Sequence, residues 1–403
     1  MTKTETEIYY FIHLTGRDLG NTGIQRVVRN LGRVLQGMPG VRLTPVRWCA
    51  RQSAIVLAGP EFIDVISLYG GPKFHRSERE DTPIHEAAPT GSWVLIPEVP
   101  HLGSADSRYP SVDLPIVLGY ARERGFRVAA VFHDLLPLTH PDANRSDEIE
   151  RLRFTIYGQA LVNVDLVLPV SRATGNSLME WWRRSGFRDP QLPKLLTVPL
   201  PEEMAGQPRG LPNPARPPAS GGDETNPEFI AIGTVFRRKN QIRAIEAFNA
   251  FCEAHPDTNA TFSIAGHVAP DIAGALARRV ARSKGRVRML GYVSDAAAVE
   301  MIQRSRATVF VSLAEGFGLP VAESLWLGKP CLCSNTGSVA EIALGGGCLL
   351  VDPMDIDAIR EGFERLCYDE RYYLALVDQV KARTLRTWQD YGARVLATLR
   401  AAP

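Results

Sequence analysis

The chain has 403 residues, of which 45% are hydrophobic, 8% aromatic and 22% charged. That length exceeds the about 100–200 residues of one domain, so a single small module is excluded, and the apolar content suffices for sizeable cores and excludes general disorder. Lys plus Arg number 46 against 44 for Asp plus Glu, a net charge of +2, which lacks the basic stripe of a nucleic-acid binder. The six cysteines are scattered and match neither a zinc spacing nor a disulfide framework. The opening MTKTETE has no charged segment leading into an apolar one, and no apolar run reaches about 18 residues. The expected location is therefore the cytoplasm, with the inner face of the cytoplasmic membrane as a resting surface.

In chain order, the first apolar run predicts a strand over Ile8–Leu14. A loop with Gly16, Gly20 and Gly23 follows, then a helix with Ile24, Val27, Val28, Leu31, Val34 and Leu35 on one face. A glycine loop before a helix N-terminus suits an anion, although the spacing matches neither common nucleotide signature and a plain tight turn reads equally well. Further strands are expected at Trp93–Ile96, Val128–Phe132 and Leu166–Val170. The cluster Trp181-Trp182-Arg183-Arg184 fits either helix packing with solvated arginines or a headgroup boundary.

From Pro199 to Pro227, eight prolines fall within 29 residues, a composition that buries no core and reads as a linker. Beyond it, strands are expected at Phe229–Ile232, Thr261–Ala265, Val287–Leu290, Thr308–Ser312, Cys331–Ser334 and Cys348–Val351, alternating with helical segments as in a parallel sheet. The first of these runs into Gly233-Thr234-Val235-Phe236-Arg237-Arg238-Lys239-Asn240. Three adjacent cations beyond a strand's carboxyl end suit a pyrophosphate or form a solvated basic turn.

The richest stretch is Glu315-Gly316-Phe317-Gly318-Leu319-Pro320 after the Thr308–Ser312 strand, leading into a short helix with Glu323, Leu325 and Trp326. Pro320 suits a first helical position and Gly328 a helix stop. The amides of Gly316 to Leu319 can face an anion, and Glu315 and Glu323 beside them suit the neutral hydroxyls of a sugar or ribose. Ser338-Val339-Ala340-Glu341 has capping-box spacing, which gives Glu341 a structural role. Asp355 and Asp357 have the D-x-D spacing of metal-dependent transferases but follow Pro353 at a helix start, where carboxylates favour the dipole.

The run EGFGLPVAESLWLGKP (315–330) resembles the hallmark of the retaining glycosyltransferases of family 4, in particular bacterial mannosyltransferase-like members. TGIQRVVRNL (22–31), VFHDLLPLTHPD (131–142), GTVFRRKN (233–240) and LGYVSD (290–295) resemble the family's first glycine loop, its HD-containing loop, its diphosphate turn and its base-binding loop. The resemblance covers nearly the whole chain. It implies the α/β GT-B fold, two Rossmann-like doubly wound parallel-sheet domains with an interdomain cleft. The corresponding division is an acceptor domain over 1–200, a Pro/Gly-rich linker over 201–226, a donor domain over 227–384 and a terminal helix, 385–403, returning to the first domain. A hinge is expected at the two connections.

Carried over by position, the resemblance implies that Arg238 and Lys239 hold the donor diphosphate and that Glu323 accepts from the ribose hydroxyls. Gly23, Thr234, Val293, Gly316, Phe317, Gly318 and Leu319 line the donor. Glu315 and His133 lie at the reacting centre, Glu315 on the hexose and His133 near the transferred sugar and incoming hydroxyl. Phe236-Arg237 stand where many members have Glu-Pro. The implied activity is transfer of a hexose, mannose or a 6-deoxyhexose on GDP being favoured, from a nucleotide-diphosphate sugar to a hydroxyl of a surface glycan or its lipid-linked precursor. No cofactor or metal is expected. A non-catalytic GT-B scaffold that binds nucleotide sugars and a GT-B sugar-nucleotide epimerase are the alternatives.

Overall fold

The structure is a computed structural model and describes residues 5–75, 81–86, 88–89, 91–100, 112–210 and 227–402. Most of the expected linker, 211–226, lies outside the described residues. The chain divides into two compact units. One comprises Met1–Pro141, Ser146–Pro201 and Thr387–Pro403; the other comprises Asp142–Arg145 and Glu202–Arg386.

Among the described residues, the first unit has seven strands, β1 (Thr6–Phe11), β2 (Val41–Cys49), β3 (Ala54–Leu57), β4 (Trp93–Ile96), β5 (Arg127–Phe132), β6 (Leu166–Pro169) and β7 (Lys194–Leu195). They lie in the order β3-β2-β1-β4-β5-β6-β7, parallel except for the β2–β3 pair. Strand β1 ends earlier than the expected Leu14, and β2, β3 and β7 have no counterpart among the expected strands. Pro45 inside β2 argues against a sheet interior, because it lacks a ladder donor. The register resolves this: β3 begins to pair only at Val46, so the missing N–H falls just past β3's end, where the Pro45 carbonyl accepts from Ala58 N at 3.0 Å.

Helix Gly23–Gln36 buries Val27, Val28, Leu31, Val34 and Leu35, the side predicted from the apolar spacing. The last helix, Trp388–Ala401, packs on it and buries Trp388 and Tyr391. Trp182 is fully buried, and its indole N–H donates to the Gly158 carbonyl at 2.8 Å, which removes it from any headgroup boundary. Trp181 packs its ring against Gly158.

The second unit has six parallel strands among its described residues: β8 (Glu228–Ile232), β9 (Thr261–Ala265), β10 (Val287–Gly291), β11 (Ala307–Phe310), β12 (Cys331–Ser334) and β13 (Cys348–Val351). Their order is β10-β9-β8-β11-β12-β13. Phe229, Phe248, Phe251, Phe262 and Phe363 form the centre of the core on one face. Each sheet reverses its winding once, between β1 and β4 and between β8 and β11. Open α/β sheets bind ligands outside the carboxyl ends of their strands at such reversals.

Two local expectations resolve differently. Asp355 caps helix Ile356–Tyr368 by accepting from the Asp357 and Ala358 amides at 2.9 and 3.0 Å, the dipole role. Ser338 is not a cap, because helix Gly337–Ala343 starts before it with Thr336 at the N-cap. The Ser338 hydroxyl instead donates to the Glu315 carbonyl at 2.8 Å, so the capping box expected for Glu341 does not form there. Among the described residues no helix is long and apolar enough to cross a membrane.

Candidate functional site

At the β8–β11 reversal, the turn after β8 is a short 3-10 helix, Arg237–Lys239, closed by Asn240 at φ +61°. Asparagine tolerates this left-handed conformation. Its amide donates to the Val311 carbonyl at 2.9 Å and to the Pro353 carbonyl at 2.7 Å, which fastens the basic turn to the end of β11. There Lys239 Nζ donates to Glu315 Oε1 at 2.7 Å, and Arg238 Nη1 pairs with Oε2 at 2.7 Å. The Ser312 hydroxyl also donates to Oε1. Burial alone raises the Glu315 pKa, but the charges of Lys239 and Arg238 with the Lys239 and Ser312 hydrogen bonds outweigh it, so the carboxyl is held below its ordinary value. Arg238 Nε is buried without a hydrogen-bond partner among the described residues.

Past Glu315 the buried backbone of Gly316, Phe317 and Gly318 leads into helix Leu319–Trp326, with Pro320 in its first turn. Gly318 is the N-cap at φ +116°, and an added Cβ would lie 3.2 Å from Val339 Cγ2, so only glycine turns the chain here without strain. Glu323 is buried in this helix. Arg237, by contrast, points away and pairs with Asp271 at 3.1 Å, with half of its side chain exposed.

The ends of β9 and β10 join the same turn. Val235 N donates to the His267 carbonyl and Gly266 N to the Gly291 carbonyl, both at 2.7 Å. Gly266 approaches so closely that a Cβ would lie 2.0 Å from the Gly233 carbonyl oxygen. The His267 and Tyr292 rings stack at 5.5 Å with 20° between planes, and Tyr292 is 70% exposed. Thr234 is exposed and Val293 half-buried beside them. Sequence reasoning missed His267; an aromatic residue just past a strand end was the only signal.

In the first unit, the β1–β4 reversal carries a different chemistry. Arg29, nearly fully buried, donates to the Gly20 carbonyl at 2.7 Å, the Asn21 side-chain oxygen at 3.0 Å and the Asp18 carbonyl at 3.1 Å. The glycine loop thus turns carbonyls inward and leaves Gly23 exposed at the helix start. Closer to the strand, Glu98 accepts from Leu14 N at 2.7 Å, Thr15 N at 2.9 Å and the Thr15 hydroxyl at 2.8 Å. One strand over, His133 Nε2 donates to the Pro97 carbonyl at 2.8 Å, which places the hydrogen on Nε2 and leaves Nδ1 as an acceptor. Burial lowers the His133 pKa despite that bond and the nearby Asp134 charge. Glu98 and Arg29 were also missed, since their partners are distant in sequence or are backbone atoms.

Two doubly wound parallel-sheet units, each with a polar cluster at its reversal, define the GT-B fold. Residues 214–383 match the family described as "Glycosyl transferases group 1". The chain is 27% identical over 243 residues to the O-antigen chain mannosyltransferase B of Escherichia coli, an alignment that covers 60% of this chain and 61% of that one. It is 27% identical over 228 residues to a serotype-specific mannosyltransferase WbdA of the same organism, covering 55% of this chain and 28% of that one. The chain thus spans less than two thirds of either relative. Among solved structures, Anabaena HepE in complex with UDP and glucose matches over 98% of this chain and 100% of its own, with a TM-score of 0.65 at 13% identity. Trehalose 6-phosphate synthase from Burkholderia multivorans matches over 79% and 72%, with a TM-score of 0.56 at 13% identity.

Proposed function

We propose that the protein is a retaining glycosyltransferase that moves a hexose, mannose or a 6-deoxyhexose, from a nucleotide-diphosphate donor to a hydroxyl of a growing surface glycan or its lipid-linked precursor. The observation that carries this reading is the largely buried Arg238–Lys239–Glu315 cluster at the β8–β11 reversal, inside the region matched to the glycosyl transferase family. A diphosphate competes with the Glu315 carboxylate for both cations, and the partnerless Arg238 Nε gives it a further donor. Once displaced, Glu315 accepts hydrogen bonds from the hexose hydroxyls, and the amides of Gly316 to Leu319 face the phosphate. Glu323 receives the ribose hydroxyls. The Tyr292–His267 stack gives the base an aromatic surface near Val293. The mannosyltransferase relatives point to the same sugar class.

In the reaction, the bond from the anomeric carbon to the phosphate oxygen breaks and the acceptor oxygen bonds to the same face of that carbon. The acceptor proton passes to the departing phosphate. Arg238, Lys239 and the amides stabilise the charge that develops on the leaving group, and His133 Nδ1 accepts a hydrogen bond from a hydroxyl of the bound sugar or acceptor. Activity should therefore persist in excess EDTA; complete loss restored by Mg²⁺ or Mn²⁺ would reject this account. The central test is a panel of nucleotide sugars in thermal-shift assays, where a ligand at about 100 times its Kd stabilises a fold by about 2.7 kcal/mol. It is followed by nucleoside diphosphate release with and without a glycan acceptor. Release that needs no acceptor, or a new hexose epimer on the nucleotide, would replace transfer with epimerisation.

A further inference from the structure

Glu98 sits directly past β4, whose neighbours are β1 and β5, about 4.8 Å away on either side. Its side chain is 1% exposed, and both oxygens are engaged from the β1 side: Oε1 by the Leu14 amide, Oε2 by the Thr15 amide and hydroxyl. Leu14 and Thr15 are where the chain leaves β1 for the glycine loop. The residue before Glu98 turns its carbonyl the other way, to His133 at the end of β5. Two consecutive residues of one strand end therefore hold the glycine loop on one side and the imidazole on the other.

We propose that Glu98 is a positioning residue, clamping the start of the glycine loop and, through the adjoining Pro97 carbonyl, fixing the orientation of His133. The proposal rests on the transferase reading for the work that the loop and His133 perform. A simple core role fits poorly, because a carboxylate is costly to bury and an apolar side chain would fill the space at no such cost. What the carboxylate adds is geometry: three donors on two oxygens settle two successive backbone amides at once.

The clamp is titratable in the physiological range. Burial raises the Glu98 carboxyl from its ordinary 4.5 to about 7, against the lowering effects of the Leu14 and Thr15 bonds and the Arg17 charge. Among the described residues the charged and titratable groups that face it are Arg17 on the loop after β1 and the Tyr10 phenol on β1, whose own pKa burial and Glu98 both raise. His133, on the β5 side, is kept neutral by burial. When Glu98 takes up a proton, one of its acceptor positions is spent on that proton, and the hold on Leu14 and Thr15 loosens.

The test compares the wild type with Glu98→Gln and Thr15→Val across pH. For the wild type, kcat should climb through an acid limb centred near pH 7. In Glu98→Gln that limb should vanish, with kcat flat about 10- to 100-fold below the wild-type plateau reached above pH 7 and the donor KM within about twofold, because the diphosphate cations are untouched. Thr15→Val removes one donor to the charged form, so its limb should move to higher pH. A residue that serves only folding would leave the limb in place in both variants, and that result overturns the proposal. Hydrogen-exchange protection of the Leu14 and Thr15 amides reads the clamp without an assay: it should fall as pH drops through 7 in the wild type and be low and flat in Glu98→Gln. Equal protection in the two proteins above pH 7 also overturns it. If the wild type transfers no sugar from any donor tested, the transferase reading fails, and the protection factors still decide the clamp.

Discussion

The two sheet reversals each bury a glutamate, and the two glutamates respond in opposite directions. Glu315 lies between Lys239 and Arg238, and its pKa falls; Glu98 is met chiefly by neutral amides and a hydroxyl, and its pKa rises to about 7. Desolvation is the largest single influence on both. What differs is the compensation: two full positive charges at 2.7 Å outweigh burial, whereas three neutral donors and the Arg17 charge do not. One reversal is therefore a charged seat whose anion a diphosphate can replace. The other is a clamp that sets backbone and imidazole geometry.

The largest effect should come from breaking the charged seat. Lys239→Ala removes a cation that meets the bound diphosphate and stabilises the further charge it gains in the transition state, so turnover should drop by about 10²- to 10³-fold with weaker nucleoside diphosphate binding. A folded variant with unaltered kinetics would take Lys239 out of the site.

Next in size is the pH dependence of stability, which should run in opposite senses for the two acids. The raised Glu98 pKa means that the folded state holds its proton longer, so this group's contribution to stability declines as pH rises from 4.5 to 7. Its full span is about 3–4 kcal/mol at about 1.4 kcal/mol per pH unit. Glu98→Gln should thus gain thermal stability relative to the wild type as pH rises through that window. The lowered Glu315 pKa stabilises the fold above the unfolded value of about 4.3 and loses that contribution as pH falls through the folded one. Glu315→Gln should lose relative stability at neutral pH and recover it in acid. Parallel melting profiles for the two variants would dissolve the contrast.

Glu323→Gln keeps the shape of the side chain and surrenders the charge that strengthens hydroxyl hydrogen bonds, a cost of about 1–3 kcal/mol. The donor KM for ribonucleotide sugars should rise accordingly, and an unchanged KM contradicts the ribose role. Smallest of all, Arg237→Ala removes the cation paired with Asp271 rather than Glu315. An exposed, solvent-screened pair contributes little, so donor KM and kcat should stay within about twofold. A loss as large as that in Lys239→Ala would mean that all three cations act on the donor.

Local pattern determined much of this protein. Contiguous β-branched and aromatic runs bounded by glycine and proline marked ten strands, with Trp93–Ile96, Thr261–Ala265, Cys331–Ser334 and Cys348–Val351 matching to the residue. The runs 233–240 and 315–323 carried their cations, carboxylates and glycines within a few residues of one another, so the chemistry of the charged seat was legible as a motif. What failed locally was also physical. β2 carries Pro45, tolerable because its pairing with β3 starts only at the next residue, Val46, and two-residue β7 is too short to show a period.

Only the tertiary structure decided which groups meet. Glu315 pairs with Lys239 and Arg238, 76 and 77 residues away, and Glu98 with amides 83 and 84 residues away. Nothing in Pro-Glu-Val-Pro distinguishes a buried acceptor from a surface acid. Secondary structure and motif chemistry depend on neighbours along the chain, which sequence records. The sign of a buried carboxyl's pKa shift depends on what charge the sheet order brings against it, and that is set by strand pairing across the whole unit.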